Sequence, residues 1–161
     1  MTDIARSLNV IGPMFDVSVP KRRYVACSLG LANLWWGVGV AMLVMAAPGR
    51  LPDIHAVGSL ATLFATIALL PLVENAVYLL LVDLVASRSR ACFRIALIGA
   101  LAATLLHAPG PAEALCLFGA YFFTGMVYLA WRDQDRSFGF WFGVGLHGLF
   151  NLPPALLAFL G

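Results

Sequence analysis

The chain has 161 residues, 61% hydrophobic and only 11% charged, with a net charge of +2 and a mean hydropathy of +0.90. A water-soluble domain carries roughly a quarter charged residues, so a chain this poor in charge cannot cover a surface facing water, and lipid is the solvent it implies. No basic run with interleaved aromatics occurs, which speaks against nucleic acid as a partner.

Residues 1–20 are mildly amphipathic through Ile4, Leu8, Ile11 and Phe15, and are expected to lie as an interfacial segment on the cytoplasmic membrane surface. Residues 21–161 read as one transmembrane helical domain. Its apolar stretches cover 25–47, 56–86, 91–107, 114–130 and 138–160. A helix needs roughly 20 apolar residues to cross the hydrocarbon. The pattern therefore predicts an all-α, polytopic membrane helical bundle with about five transmembrane helices. None of the stretches alternates with period two, which is the mark of a membrane β-barrel. The first stretch ends in Val44-Met45-Ala46, a cleavage-like tripeptide, but its apolar run is too long for a signal peptide. The second exceeds a simple crossing, so tilt, an interfacial end or a kink at Pro71 is expected there. The third is short.

The cations set the orientation. Arg6, Lys21, Arg22 and Arg23 precede the first helix; Arg50 alone lies in the next loop; Arg88, Arg90 and Arg94 mark the one after. No cation follows until Arg132 and Arg136, and the tail has none. High and low alternate, so by the positive-inside rule the N-terminus is cytoplasmic and the C-terminus external, in a multi-pass protein of the cell membrane. Cys27, Cys92 and Cys116 suggest neither a disulfide framework nor a paired metal motif.

The informative side chains are the polar ones at depth, since burying a charge in lipid costs at least ~2.5 kcal/mol. They are Asn33, Glu74, Asn75, Asp83, His107, His147 and Asn151, while His55 and Glu113 fit external loops. Measured from cytoplasmic ends near Ser87, Ala91 and Ser137, Glu74 stands roughly 20 Å up, His107 about 24 Å, His147 about 15 Å and Asn151 about 21 Å. Asp83 stands only ~6 Å up, within reach of the interface. Four polar groups from three helices thus arrive in one layer. His147 and Asn151, four residues apart, share a helix face. Gly139 and Gly143 have the small-xxx-small spacing that lets helices approach closely. Pro153 and Pro154 free a backbone carbonyl near Asn151, as Pro71 does before Glu74. Asn33 and Asn75 read as interhelical hydrogen-bonding groups, Trp35 and Trp36 as lipid or packing contacts, and Trp131 and Trp141 as aromatic-belt residues.

A carboxylate at low dielectric suits a general base. A neighbouring His can orient the water it activates, and a second His with an Asn carboxamide can donate to an oxyanion. Glu74, His107, His147 and Asn151 together make a candidate hydrolytic site for a carbonyl substrate. No Ser or Cys is paired with a base to support a covalent route.

Three segments carry a family resemblance. Pro71-Leu72-Val73-Glu74-Asn75-Ala76-Val77-Tyr78-Leu79 resembles the first motif of the CPBP intramembrane proteases, which include the CAAX-prenyl endopeptidases. Ala103-Thr104-Leu105-Leu106-His107 resembles their second motif, Phe-x-x-x-His, and His147-Gly148-Leu149-Phe150-Asn151 matches their third, His-x-x-x-Asn. The segments fall in the family's order within residues 71–151. Asn75 stands where a second Glu is usual, Leu79 where Arg is usual, and Ala103 in place of Phe. The resemblance implies a glutamic-type intramembrane peptidase. Glu74 would activate water with His107, and His147 and Asn151 would form the oxyanion hole. The substrate would be a peptide or protein with a membrane-associated segment, such as a sorting or leader segment of a small bacterial protein. No cofactor is implied.

Three other readings use the same residues. Glu74, His107 and His147 could ligate zinc with an open position for water. His107 and His147 could ligate a haem iron. The same fold could also serve as a non-catalytic chaperone, immunity or assembly factor.

Overall fold

The computed structural model describes residues 16–46, 59–88, 91–107 and 110–160. Arg6, Arg50, His55, Arg90 and most of the amphipathic N-terminal segment lie outside the described residues, as does the side chain of Glu113. Among the described residues five helices follow in order: α1 Lys21–Ala46, α2 Leu60–Ala86, α3 Cys92–Leu106, α4 Pro111–Trp131 and α5 Arg136–Leu160. No strand occurs among the described residues. Lys21–Met42, Leu60–Ala86 and Ala114–Trp131 are long and apolar enough to cross a membrane. At 15 residues, α3 is shorter, about 22 Å.

α4 is the axis of the bundle. Residues 119–129 are buried without a break, and α1, α2, α3 and α5 all pack on it. A helix apolar all round belongs inside. The other helices turn large apolar side chains outward, among them Leu34, Leu60, Phe64, Leu80, Ile98 and Leu105, each more than 60% exposed. Exposed apolar surface on this scale marks a surface made for lipid or for a partner. Gly139 and Gly143 of α5 do meet α4 closely: a β-carbon on Gly143 would stand 3.1 Å from Thr124 Cγ2, and Thr124 Oγ1 donates to the Gly143 carbonyl at 3.1 Å.

The long second stretch is one continuous helix. It is α-helical over Leu60–Phe64, a π turn over Ala65–Leu69, and α-helical again over Leu70–Ala86. Pro71 is the physical reason for the π turn: its ring presses on the carbonyl four residues back, Ile67, and its nitrogen offers that carbonyl no hydrogen. Widening the preceding turn to i→i+5 bonding relieves the clash without breaking the helix. Two carbonyls of this turn serve α5. Thr66 O accepts from Asn151 Nδ2 at 3.2 Å, and Ile67 O lies against Gly148, where an added β-carbon would come within 2.5 Å of it. Gly148→Ala is therefore expected to destabilise the protein by about 1–3 kcal/mol through overpacking. Gly145→Ala meets nothing within 4 Å and should stabilise by roughly 0.5–1 kcal/mol through helix propensity. Thermal unfolding of the two variants in detergent checks both signs.

Polar ties hold one end of the bundle. Lys21, at the start of α1, pairs with Asp135, whose Oδ1 also accepts from the Phe138 N–H and caps α5. The Lys21 ammonium lies 4.7 Å over the Phe138 ring. Asp83 does not merely reach the interface: it pairs with Arg136 at 3.4 Å and faces Arg132 at 4.0 Å. The hydrogen bond from Lys21, then that from the Phe138 N–H, holds the Asp135 carboxyl below its ordinary value. A lowered folded-state pKa contributes stability above the unfolded value near 4, and that contribution is lost as pH falls through the folded value. Asp135→Asn keeps a capping side chain and removes the charge. It should melt below wild type at pH 7, with the gap narrowing as pH falls below about 4.

Two sequence expectations change. Asn33 does not bridge helices: its Nδ2 donates to the Leu29 carbonyl of its own helix at 2.7 Å, because it sits on the exposed face of α1. Trp131 is not a belt residue; it is buried edge-on against Tyr24 and Phe138, whereas Trp141 is 59% exposed.

Candidate active site

Three of the four candidate residues converge. Glu74 lies one turn after Pro71 on α2, His107 caps the C-terminus of α3, and His147 sits mid-way along α5. His107 Nε2 is 3.8 Å from Glu74 Oε1, and His147 Nε2 is 3.6 Å from Glu74 Oε2. The two imidazoles thus flank the two oxygens of one carboxylate. Burial is graded across the group: the His147 side chain is 1% exposed, Glu74 32% and His107 38%.

The hydrogen bonds behind the imidazoles set their protons. His107 Nδ1 faces the Ala103 carbonyl at 2.7 Å. A carbonyl only accepts, so in the neutral ring Nδ1 carries the hydrogen and Nε2 presents its lone pair. His147 Nδ1 faces Asn75 Oδ1 at 2.9 Å, with the same consequence. Both lone pairs then point at Glu74. Two acceptors 3.6 Å apart attract only through a shared proton or a bridging water, which is the arrangement a water-activating site needs.

Tyr121 of α4 completes the cluster. Its hydroxyl is 3.1 Å from Glu74 Oε2 and 3.3 Å from His107 Nε2, and its ring packs against His107, His147 and Tyr78. Within a helix of many aromatics a Tyr at this position is indistinguishable from packing, and only the tertiary arrangement aims its hydroxyl. Asn75 does bridge helices, as expected, but its partner is the candidate histidine itself. It is fully buried, and its Nδ2 makes no hydrogen bond among the described residues. Asn75→Leu would strand the buried His147 Nδ1–H, so a loss of about 1–3 kcal/mol is expected in thermal unfolding.

Asn151 stands apart from this cluster. Sharing a face with His147 carries it to the π turn, where its Nδ2 is engaged by Thr66 O. There it ties α5 to the turn that leads into Glu74. Among the described residues no three His, Cys, Asp or Glu side chains are placed to hold a metal ion; the Tyr121 hydroxyl lies between Glu74 and His107 instead. The Glu74 carboxylate and the Tyr121 ring also stand between the imidazoles, where a bis-histidine haem would need an open slot.

A cavity of about 780 Å³ runs between α2 and α3. Glu74, His107 and Tyr121 line one end and Arg94 the other, with Tyr78 and apolar side chains between.

No family model, curated protein or solved structure matches the chain.

Proposed function

We propose that the protein is an intramembrane peptidase of the glutamic type. The observation that carries this reading is a single carboxylate flanked by two imidazole lone pairs and a tyrosine hydroxyl, at the head of a cavity between two apolar helices. The resemblance of the Glu74, His107 and His147 segments to the CPBP proteases supports the same reading. Glu74 takes a proton from water while His107 Nε2 orients it; the water oxygen bonds to the peptide carbonyl carbon. Tyr121 donates to the oxyanion. The proton held by Glu74, or passed to His147 Nε2, goes to the departing amine as the C–N bond breaks. Asn151 is a positioning residue that acts through the Thr66 carbonyl.

The substrate is a peptide with a membrane-associated segment. The protein lies in the cell membrane with the Lys21, Arg132 and Arg136 end facing the cytoplasm, which suits the clustering of cations there. The test is hydrolysis of membrane-anchored peptides by the purified protein in vesicles made with ¹⁸O-water. Wild type should place the label in the new carboxyl group. Absence of cleavage across a broad set of anchored peptides, or cleavage that survives Glu74→Gln, would overturn the reading.

A second reading, a non-catalytic chaperone or assembly factor of the same fold, is favoured by one observation. Leu79, in the place of the usual Arg, is 2% exposed and packed in the core. A binding factor of this kind would keep its function in Glu74→Gln.

A further inference from the structure

We infer that the Glu74 site opens to the membrane face opposite the cationic end of the bundle, so that its substrate is an anchored protein cut in that half of the bilayer. The opening stands on geometry; the substrate rests on the peptidase reading above.

Three helices run past the site and one stops at it. Measured from the end that carries Lys21, Arg132 and Arg136, Glu74 stands about 18 Å along α2, Tyr121 about 15 Å along α4 and His147 about 16 Å along α5. Beyond the site α2 continues for about 21 Å, α4 for about 15 Å and α5 for about 20 Å. α3 does not continue: its last helical residue is Leu106, and His107 is its cap. One wall of the site therefore ends level with the carboxylate.

Packing on the two sides of the site differs accordingly. Toward the cationic end Tyr78, one turn after Glu74, forms a plug. Its buried hydroxyl sits between α3 and α4, where a β-carbon on Gly125 would stand 2.5 Å from it and one on Gly99 3.3 Å. Leu79 and Val82 extend the seal, and α4 is buried without a break over 119–129. The cavity toward Arg94 runs alongside, with the Tyr78 hydroxyl turned into the glycine notch and apolar side chains for the rest. Apolar walls of that kind stay dry. Toward the other end the packing loosens. No residue of 60–69 is buried, that stretch packs chiefly on α5, and residues 114–118 of α4 are only half-buried. Water for hydrolysis therefore arrives over the end of α3, past His107.

Across roughly 30 Å of hydrocarbon, a bond held at Glu74 lies about 18 Å from the cationic face and about 12 Å from the opposite one. The positive-inside rule makes that opposite face external. The substrate class is a protein anchored by a transmembrane segment and cut in the external half of that segment, its outer portion leaving on the external side.

The experiment uses the full chain with Cys27, Cys92 and Cys116 replaced by Ala and one new cysteine, in right-side-out vesicles treated with a membrane-impermeant maleimide. His107→Cys should label from outside. Gln134→Cys, in the exposed turn between α4 and α5, should label only after the vesicles are opened. Glu74→Cys serves as the site cysteine if His107→Cys does not reach the membrane. Labelling of the site cysteine from the same face as Gln134→Cys, or from neither face, would overturn the opening, and labelling of intact vesicles at Gln134→Cys would overturn its external placement. Wild type is then given single-span reporters, and the products are weighed to locate the cut. A cut in the external half is expected; a cut in the cytoplasmic half would overturn the substrate class while leaving the peptidase reading intact. Absence of any cut would sink the peptidase reading and this substrate class with it, while the labelling result stood.

Discussion

Glu74→Gln is expected to lower peptide hydrolysis by about 10²–10⁴-fold, the usual contribution of a general base. The amide keeps the size of the side chain and accepts from the Tyr121 hydroxyl, but it cannot take a proton from water. Its effect should fall on kcat, because the water is activated only as the transition state forms. The helical circular dichroism should match wild type, since the Glu74 side chain is one-third exposed and carries no packing load in the core. Measurement of kcat and KM on one anchored peptide decides the matter; a rise in KM with kcat intact would make Glu74 a substrate-binding group and remove it from the chemistry.

Tyr121→Phe should be the second large effect, a fall in kcat of about 10²–10³, the range seen when one oxyanion donor is removed. The substitution deletes a hydroxyl that touches both Glu74 and His107 and keeps the ring that packs on Tyr78, His107 and His147. Stability should change by only about 1 kcal/mol, the net worth of a hydrogen bond. A variant with unchanged kcat would reduce Tyr121 to a packing residue. A variant that fails to fold would contradict the ring contacts.

Tyr121 also shows where sequence reading reached its limit. Glu74, His107 and His147 were legible because polar groups at membrane depth are expensive, so their presence in apolar runs already demands a partner. A tyrosine in the same run demands nothing, since its ring is at home in a core and its hydroxyl finds company at many positions. Asn75 was legible as an interhelical group but not as the partner of His147, because the identity of a contact 72 residues away depends on how three helices rotate about their axes. Asn151 was grouped with His147 by helical spacing, and that spacing is sound; the π turn before Pro71 supplies a carbonyl that claims its amide. Depth along a helix follows from residue rise alone, whereas azimuth follows from packing.

The same division runs through the whole molecule. Apolar run length and scarcity of charge were enough to determine an all-helical bundle of five helices, because each helix satisfies its own backbone hydrogen bonds locally and its extent is written in consecutive residues. That α5 would approach a neighbouring helix closely was likewise readable from Gly139 and Gly143, though not that the neighbour is α4. The tertiary structure alone decided that α4 is the central helix, that the long second stretch stays continuous through a π turn, and that a groove opens beside Glu74. Those features arise from side chains on different helices competing for the same volume, and no local pattern records which of them meets which.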